Sequence, residues 1–191
     1  MNYHRTLGWL LFLAFISFVA SSPAFASSTL VREVQTKLYA GQTAEAASNA
    51  RSRLNEAPGD DNARFYLGAI QFLQPVEQLG QGLHRYGLQS TYEDEHVYHR
   101  AVLTGLPILR LPVPENPKPD ELTYEAFRGI LITFAGNLKT AEATLGEAKS
   151  RNVHLPLNIG HIRLDLDGDG TGAKDEALWR IFAVLTNAGV G

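Results

Sequence analysis

Residues 165–176 carry an unusual density of acidic side chains at a regular spacing. In this stretch, DLDGDGTGAKDE, aspartates stand at positions 1, 3 and 5, glycine at position 6 and glutamate at position 12. Carboxylates this close together repel one another unless a cation lies between them. The spacing therefore predicts a loop that folds around a metal ion, although a plain acidic turn that binds nothing is the alternative.

The order of these residues resembles the EF-hand calcium-binding loop. Gly170 stands where that loop bends too sharply for a side chain. The resemblance implies a Ca²⁺ site, and Mg²⁺ suits the loop less well because it prefers a tighter octahedron and keeps its water ligands. The implied ligands are the carboxylates of Asp165, Asp167 and Asp169, the carbonyl oxygen of Thr171 and both carboxylate oxygens of Glu176.

Two features distinguish this loop from the paired, regulatory kind. Position 8 is Gly172, where paired loops carry an aliphatic residue, and no second loop of this type occurs in the sequence. Ile162, Leu164 and Leu166 alternate with period two, which predicts an extended entry, as in the strand–loop–helix variant of dockerin-like loops. Because a sensor requires paired loops that open, we expect a structural ion that fixes a following helix over residues 176–187.

The first 26 residues have the pattern of a secretory signal peptide. Arg5 precedes an apolar run over residues 7–20, and Ala24-Phe25-Ala26 provides a small-residue cleavage site. The apolar run is shorter than the roughly 20 residues that span a bilayer, and an uncleaved anchor is the alternative. We expect cleavage after Ala26 and a periplasmic or secreted protein without stable membrane insertion.

Charge and cysteine content exclude several classes of protein. The net charge of −3 and the absence of a basic stripe argue against nucleic-acid binding. The chain has no cysteines, so neither a disulfide nor a lipid-modified cysteine is present. An exported chain without disulfides must be stabilised by its core or by a bound ion.

Residues 27–105 have the pattern of packed helices. We expect two helices between residues 29 and 57, separated at Gly41, with Thr43 as the N-cap of the second. The second helix is rich in Ala, Arg, Leu and Glu, which are good helix formers. Strands do not alternate with these helices, so the pattern predicts an all-α fold.

A third helix is expected after the turn formed by residues 58–61. Pro58 cannot continue a helix, and the aspartates that follow Gly59 are good caps for the next one. Residues 63–74 present a broad apolar face. Residues 76–104 continue the helical pattern, which glycines weaken.

Small residues in the N-terminal region resemble those of the tetratricopeptide repeat, in which they let paired helices approach closely. The resemblance covers roughly residues 27–75 and implies helical hairpins whose concave surface binds a protein partner. An unrelated helical hairpin is the alternative. The residues at the repeat spacings are Gly41, Ala46, Leu54, Pro58 and the pair Leu67-Gly68.

Prolines separate this region from the C-terminal one. The Pro-rich stretch over residues 106–119 predicts an extended, solvent-facing connection, either a linker or a docking ligand. Residues 120–191 form the second predicted region, which includes the calcium loop. Within it, residues 120–139 form a helix, and residues 140–151 either continue that helix or form the second helix of a hairpin. The apolar stripe of this region consists of Leu122, Phe127, Ile130, Leu131, Phe134 and Leu138.

The sequence contains no recognisable catalytic motif. It lacks a cysteine nucleophile, a G-x-S-x-G elbow and a glycine-rich phosphate loop. The alternative function is an envelope enzyme or metal-dependent hydrolase that uses the acidic and histidine residues from Glu93 to His99, with His96 and His99 on one helix face as candidate zinc ligands. The favoured interpretation is a non-enzymatic exported protein that is stabilised by one Ca²⁺ and binds an unidentified protein partner.

Overall fold

The computed structural model describes residues 23–88 and 111–181 of the chain. Four α-helices and two 3₁₀ turns occur in these ranges, and no β-strand does, so the fold is all-α as predicted. The helices are α1 (Pro23–Tyr39), α2 (Thr43–Glu56), α3 (Asp61–Arg85) and α4 (Tyr124–Gly146), and the 3₁₀ turns are Ile159–His161 and Lys174–Glu176. Neighbouring helices along the chain pack against each other.

The break between α1 and α2 lies at Gly41, as predicted. Gly41 has a φ of +75°, a left-handed conformation that is unfavourable for residues with a Cβ. Its N–H donates to the Leu38 carbonyl (3.3 Å), and the Gln42 N–H donates to the Lys37 carbonyl (2.8 Å), which is the Schellman arrangement. The prediction of Thr43 as the N-cap is wrong, because this turn places Gln42 at that position.

α3 begins as the sequence predicts. Its N-cap is Asp60, whose carboxylate accepts hydrogen bonds from the Ala63 N–H (3.1 Å) and from Arg53 Nε (2.9 Å). The helix continues to Arg85, which confirms the first part of the predicted continuation. Residues 89–104 of that prediction lie outside the described residues.

Glycines in α3 are points of close packing. A Cβ on Gly68 would lie 2.6 Å from the Leu145 side chain of α4, and a Cβ on Gly80 would lie 2.4 Å from the Leu166 side chain. Gly80 weakens the helical pattern in the sequence, and Gly68 belongs to the tetratricopeptide-like spacing, but both let α4 or the C-terminal segment approach α3. The close approach compensates for their low helix propensity.

α4 is one continuous helix, so the predicted alternative of a hairpin within residues 120–151 is wrong. Thr123 is its N-cap and accepts a hydrogen bond from the Ala126 N–H (3.1 Å). Ala141 is its one buried residue among those described. Much of the predicted apolar stripe is accessible, with Phe127 38% exposed and Leu131 44% exposed.

The described part of the Pro-rich connection is only partly solvent-facing. Residues 111–119 have no regular secondary structure, as predicted. Residues 120–123 have none either, so the helix predicted from residue 120 begins later, at Tyr124. Leu111 and Val113 are buried, however, because apolar side chains in this stretch cover other apolar surface of the molecule. Further along, the Asp120 N–H donates to the Arg85 carbonyl (2.9 Å), so the connection helps to cap the C-terminus of α3.

The hydrophobic core joins the helices to the C-terminal segment. Ile162, Leu164 and Leu166 are at most 2% exposed, because alternate residues of an extended segment lie on the same side. They pack in one cluster with residues of α1, α2 and α3, so the acidic loop begins directly from the core. The helical members of this cluster are Leu30, Val34, Leu38, Ala46, Ala47, Ala50, Ala63, Tyr66, Leu67 and Ile70.

Candidate metal centre

The two ends of the 165–176 loop are held together by a short antiparallel contact. Arg163 and Ala177 form an isolated β-bridge, and the Leu178 N–H donates to the Ile162 carbonyl (2.9 Å). The Arg163 N–H donates to the Leu38 carbonyl at the end of α1 (3.0 Å). The entry to the loop therefore forms one bridge and not a complete strand.

The helix predicted over residues 176–187 does not begin at Glu176. That residue ends the second 3₁₀ turn, and Ala177 is extended because it forms the bridge at the base of the loop. Helical backbone resumes at Trp179 and is described as far as Ile181. The remainder of the predicted helix lies outside the described residues.

Backbone N–H groups of the loop hold the aspartate side chains in place. Asp165 accepts hydrogen bonds from the Gly168 N–H (2.8 Å) and the Gly170 N–H (3.1 Å), one to each oxygen. The Asp169 N–H donates to Asp167 (3.0 Å). Gly170 has a φ of +93°, which agrees with the sharp bend predicted at position 6.

Asp165, Asp167 and Asp169 converge on one point. One carboxylate oxygen from each lies within 4.8 Å of the other two. Ca²⁺ ligands lie about 2.3–2.6 Å from the ion, so two ligands of one ion can be up to about 5 Å apart. The three carboxylates therefore fit a single Ca²⁺, and charged oxygen ligands are the kind that this ion prefers.

The environment of these carboxylates differs along the loop. The pKa of Asp165 is raised, mainly by burial and also by the nearby Asp167. Hydrogen bonds from two backbone N–H groups partly oppose this rise. The hydroxyl and N–H groups of Thr171 donate to Asp169 and lower the pKa of that carboxyl. A cation between the aspartates would remove the repulsion that acts on Asp165.

Glu176 does not join this group of aspartates. It is 1% exposed, and its Oε1 accepts hydrogen bonds from the N–H groups of Leu166 (2.7 Å) and Asp167 (3.2 Å). Its Oε2 accepts one from the Ala173 N–H (2.7 Å). The pKa of Glu176 is raised because the carboxyl group is buried, and these backbone hydrogen bonds only partly oppose the rise. The carboxylate thus ties the start of the loop to its end, and its role as an ion ligand stays a prediction.

Thr171, the remaining predicted ligand, lies beside the cluster. Its hydroxyl and N–H both donate to Asp169, at 2.7 and 2.8 Å. These bonds orient the aspartate, whereas the sequence predicts a contribution from the Thr171 carbonyl. The carbonyl ligand stays a prediction.

The loop packs against the turn between α1 and α2 through two glycines. A Cβ on Gly172 would lie 2.7 Å from the Gly41 Cα, and a Cβ on Gly41 would lie 2.4 Å from the Gly172 Cα. No side chain fits at either position, so the two backbones meet because both residues are glycine. At position 8, paired loops carry a residue that bridges to the partner loop. Here Gly172 at that position instead contacts the turn between α1 and α2.

α3 supplies the polar contacts that no sequence motif predicts. Glu77 accepts hydrogen bonds from the Asp165 N–H (3.1 Å) and the Thr43 hydroxyl (2.8 Å), and Gln81 Nε2 donates to the Asp165 carbonyl (2.8 Å). The pKa of Glu77 is raised, mainly by burial and also by the nearby charges of Asp165 and Glu176. The two hydrogen bonds partly oppose this rise. The only signal in the sequence is that residues 77 and 81 are four apart on a helix and so share a face.

The comparisons with known proteins assign no family. No family model, curated protein or solved structure matches this chain. The likeness to EF-hand loops and to tetratricopeptide repeats therefore stays a prediction from the sequence. The geometry of the loop is the observation that bears on function.

The other candidate features can be placed only in part. The acidic and histidine cluster from Glu93 to His99 lies outside the described residues. Within residues 23–88 and 111–181, no group of three or more His, Asp or Glu side chains other than the three aspartates converges as a metal site would. None of the described helices is long and apolar enough to cross a membrane.

Proposed function

We propose that this chain is an exported, calcium-binding helical protein that serves as a scaffold for a protein partner. The observation that carries the proposal is the convergence of Asp165, Asp167 and Asp169 on a loop whose entry is buried in the core. The signal peptide predicted from the sequence supports export.

The bound ion is structural in this proposal. Calcium is generally plentiful outside the cytoplasm, so a single loop there stays occupied. A free Ca²⁺ concentration about a hundredfold above the dissociation constant stabilises the folded state by roughly 2.7 kcal/mol. That is a large part of the roughly 5–15 kcal/mol that is typical of a folded domain.

Thermal unfolding with Ca²⁺ and with EGTA tests the proposal. We expect Ca²⁺ to raise the midpoint by several degrees, since about 1 kcal/mol shifts a domain of this size by roughly 2–4 °C. Replacing both Asp167 and Asp169 by Asn should abolish most of that rise, because the amide oxygens still accept hydrogen bonds but carry no charge. Asp175→Asn is the matched control, since Asp175 is exposed in the same loop and lies outside the cluster.

Two results would count against a calcium loop. One is an equal midpoint in Ca²⁺ and EGTA for the wild type. The other is a full calcium response in the double Asn variant. Mg²⁺ at the same concentration should give a smaller rise than Ca²⁺, because Mg²⁺ prefers to keep its water ligands.

An apolar groove between α3 and α4 supports the scaffold part of the proposal. Its volume is about 800 Å³, and apolar side chains from α3, α4 and the C-terminal segment line it. Phe72 of α3 and Leu131 of α4 both line the groove and are 52% and 44% exposed. Exposed apolar surface of this kind commonly marks a binding site.

Capture of a partner from an envelope extract tests the scaffold. The wild type in Ca²⁺ should retain a reproducible protein, and a Phe72→Ser, Leu131→Ser variant should lose it while keeping its calcium-dependent midpoint. Tyr124→Ser is the control, because Tyr124 is 74% exposed and does not line the groove. Equal capture by the groove variant, or no specific protein with the wild type, would contradict this role.

A further inference from the structure

Glu77 and Gln81 connect α3 to the first residue of the candidate calcium loop. The Asp165 N–H donates to Glu77 Oε2 (3.1 Å), and the Asp165 carbonyl accepts from Gln81 Nε2 (2.8 Å). Both polar groups of the Asp165 backbone are therefore held by side chains that lie one helical turn apart. These two side chains therefore satisfy the Asp165 backbone in the way that a paired strand satisfies its neighbour in a sheet.

The other oxygen of Glu77 is also occupied. Glu77 Oε1 accepts a hydrogen bond from the hydroxyl of Thr43 (2.8 Å), the first residue of α2. Thr43 is 3% exposed, so this contact lies in the interior. One carboxylate thus links α2, α3 and the start of the loop.

The carboxylate of Glu77 lies near other acidic side chains. Asp165 and Glu176 both act on it electrostatically. Among the described residues, no Lys, Arg or His forms an ion pair with Glu77. A partly buried carboxylate among other carboxylates is unfavourable unless a positive charge is close, and a cation bound by the loop would supply that charge.

We propose that Glu77 and Gln81 are positioning residues for Ca²⁺, outside the loop but required for its full affinity. The inference rests on the calcium site of the proposed function. Glu77 holds the backbone of Asp165, the first ligand, and adds a negative charge near the ion. Residues that orient metal ligands in this way typically contribute about 10- to 100-fold to metal affinity.

Calcium titration of Glu77→Gln tests the inference. The amide oxygen of Gln can still accept from the Asp165 N–H, and its NH₂ group can donate to Thr43, so the shape of the site is kept and only the charge is lost. We expect calcium binding to weaken about tenfold or more, because the ion loses the attraction of a nearby negative charge, while unfolding in EGTA stays unchanged or shifts to a higher midpoint. The loss should shrink at high ionic strength, because salt screens the charge of Glu77.

The fluorescence of Trp179 can report the titration. The other tryptophan of the chain is Trp9, which lies in the predicted signal peptide. Glu142→Gln is the matched control, because Glu142 is exposed on α4 and its loss changes the net charge equally. That variant should bind Ca²⁺ within about twofold of the wild type, as expected for a distant, screened charge.

A second variant covers the case in which Glu77→Gln does not fold. Gln81→Ala removes the contact to the Asp165 carbonyl without a change of charge and should weaken calcium binding by up to about fivefold, the value of one neutral hydrogen bond.

The outcomes separate the two proposals. If the wild type does not bind Ca²⁺, the proposed function fails. If the wild type binds and Glu77→Gln binds equally well, the charge of Glu77 does not contribute to affinity and that part of the inference is overturned. If Gln81→Ala binds as well as the wild type, the positioning of Asp165 by α3 is overturned, while the proposed function stands.

Discussion

Replacing Glu176 with alanine is expected to lower the free energy of unfolding by about 3 kcal/mol in the absence of calcium. The buried carboxylate accepts hydrogen bonds from the backbone N–H groups of Leu166, Asp167 and Ala173. Without it, these donors lose their partner, and an unsatisfied buried donor costs about 1–3 kcal/mol. Urea unfolding in EGTA, followed by circular dichroism, measures the effect.

The same experiment distinguishes two roles for Glu176. A residue that serves only as an ion ligand would affect stability in Ca²⁺ but not in EGTA, whereas the observed contacts predict a loss in both. Asp175→Ala is the control, because Asp175 is the exposed neighbour, and we expect a change within about 0.5 kcal/mol. Equal stability of Glu176→Ala and the wild type in EGTA would show that the carboxylate does not tie the loop together.

The contact between Gly41 and Gly172 predicts a second large effect. Gly41→Ala should lower the free energy of unfolding by about 3 kcal/mol, of which about 1–2 kcal/mol comes from the left-handed backbone and the remainder from overpacking. The new Cβ would lie 2.4 Å from the Gly172 Cα. A backbone atom cannot move aside as the end of a flexible side chain can, so the loop must separate from the α1–α2 turn. Urea unfolding measures this loss.

A double-mutant cycle tests whether the two glycines act through one contact. Gly172→Ala should also destabilise the fold, because its Cβ would lie 2.7 Å from the Gly41 Cα. The double variant should lose less than the sum of the single losses, since the first substitution already opens the contact. Additive losses would show that the glycines act independently.

Two further glycines serve as controls for that cycle. Gly59→Ala should change stability by less than about 0.5 kcal/mol, because nothing lies within 4 Å of the added Cβ. Gly136→Ala, on the exposed face of α4, should stabilise the protein by roughly 0.5–1 kcal/mol through its higher helix propensity. A loss at Gly59 as large as that at Gly41 would contradict the explanation by close packing.

Features that depend on neighbouring residues were predictable. The break at Gly41, the Asp60 cap of α3 and the extended entry to the acidic loop all follow from signals within a few positions of the chain. Such signals work because helix caps, turns and strand alternation are formed by hydrogen bonds and side-chain directions over short distances.

Features that depend on packing were not predictable in the same way. Leu111 and Val113 lie in a Pro-rich stretch that predicts solvent exposure, yet they are buried. Leu131 belongs to an apolar stripe that predicts burial, yet it is 44% exposed. Periodicity shows which face of a helix is apolar but not how much of that face its neighbours cover.

The sequence by itself determined the all-α fold, the turns of the acidic loop and the spacing that lets three aspartates converge, because each depends on residues a few positions apart. Only the tertiary structure decided what surrounds that loop. Glu77 reaches Asp165 across 88 positions of the chain, and Gly41 meets Gly172 across 131 positions. Contacts of this kind have no periodicity and no motif, since they arise from the way the helices pack around the C-terminal segment.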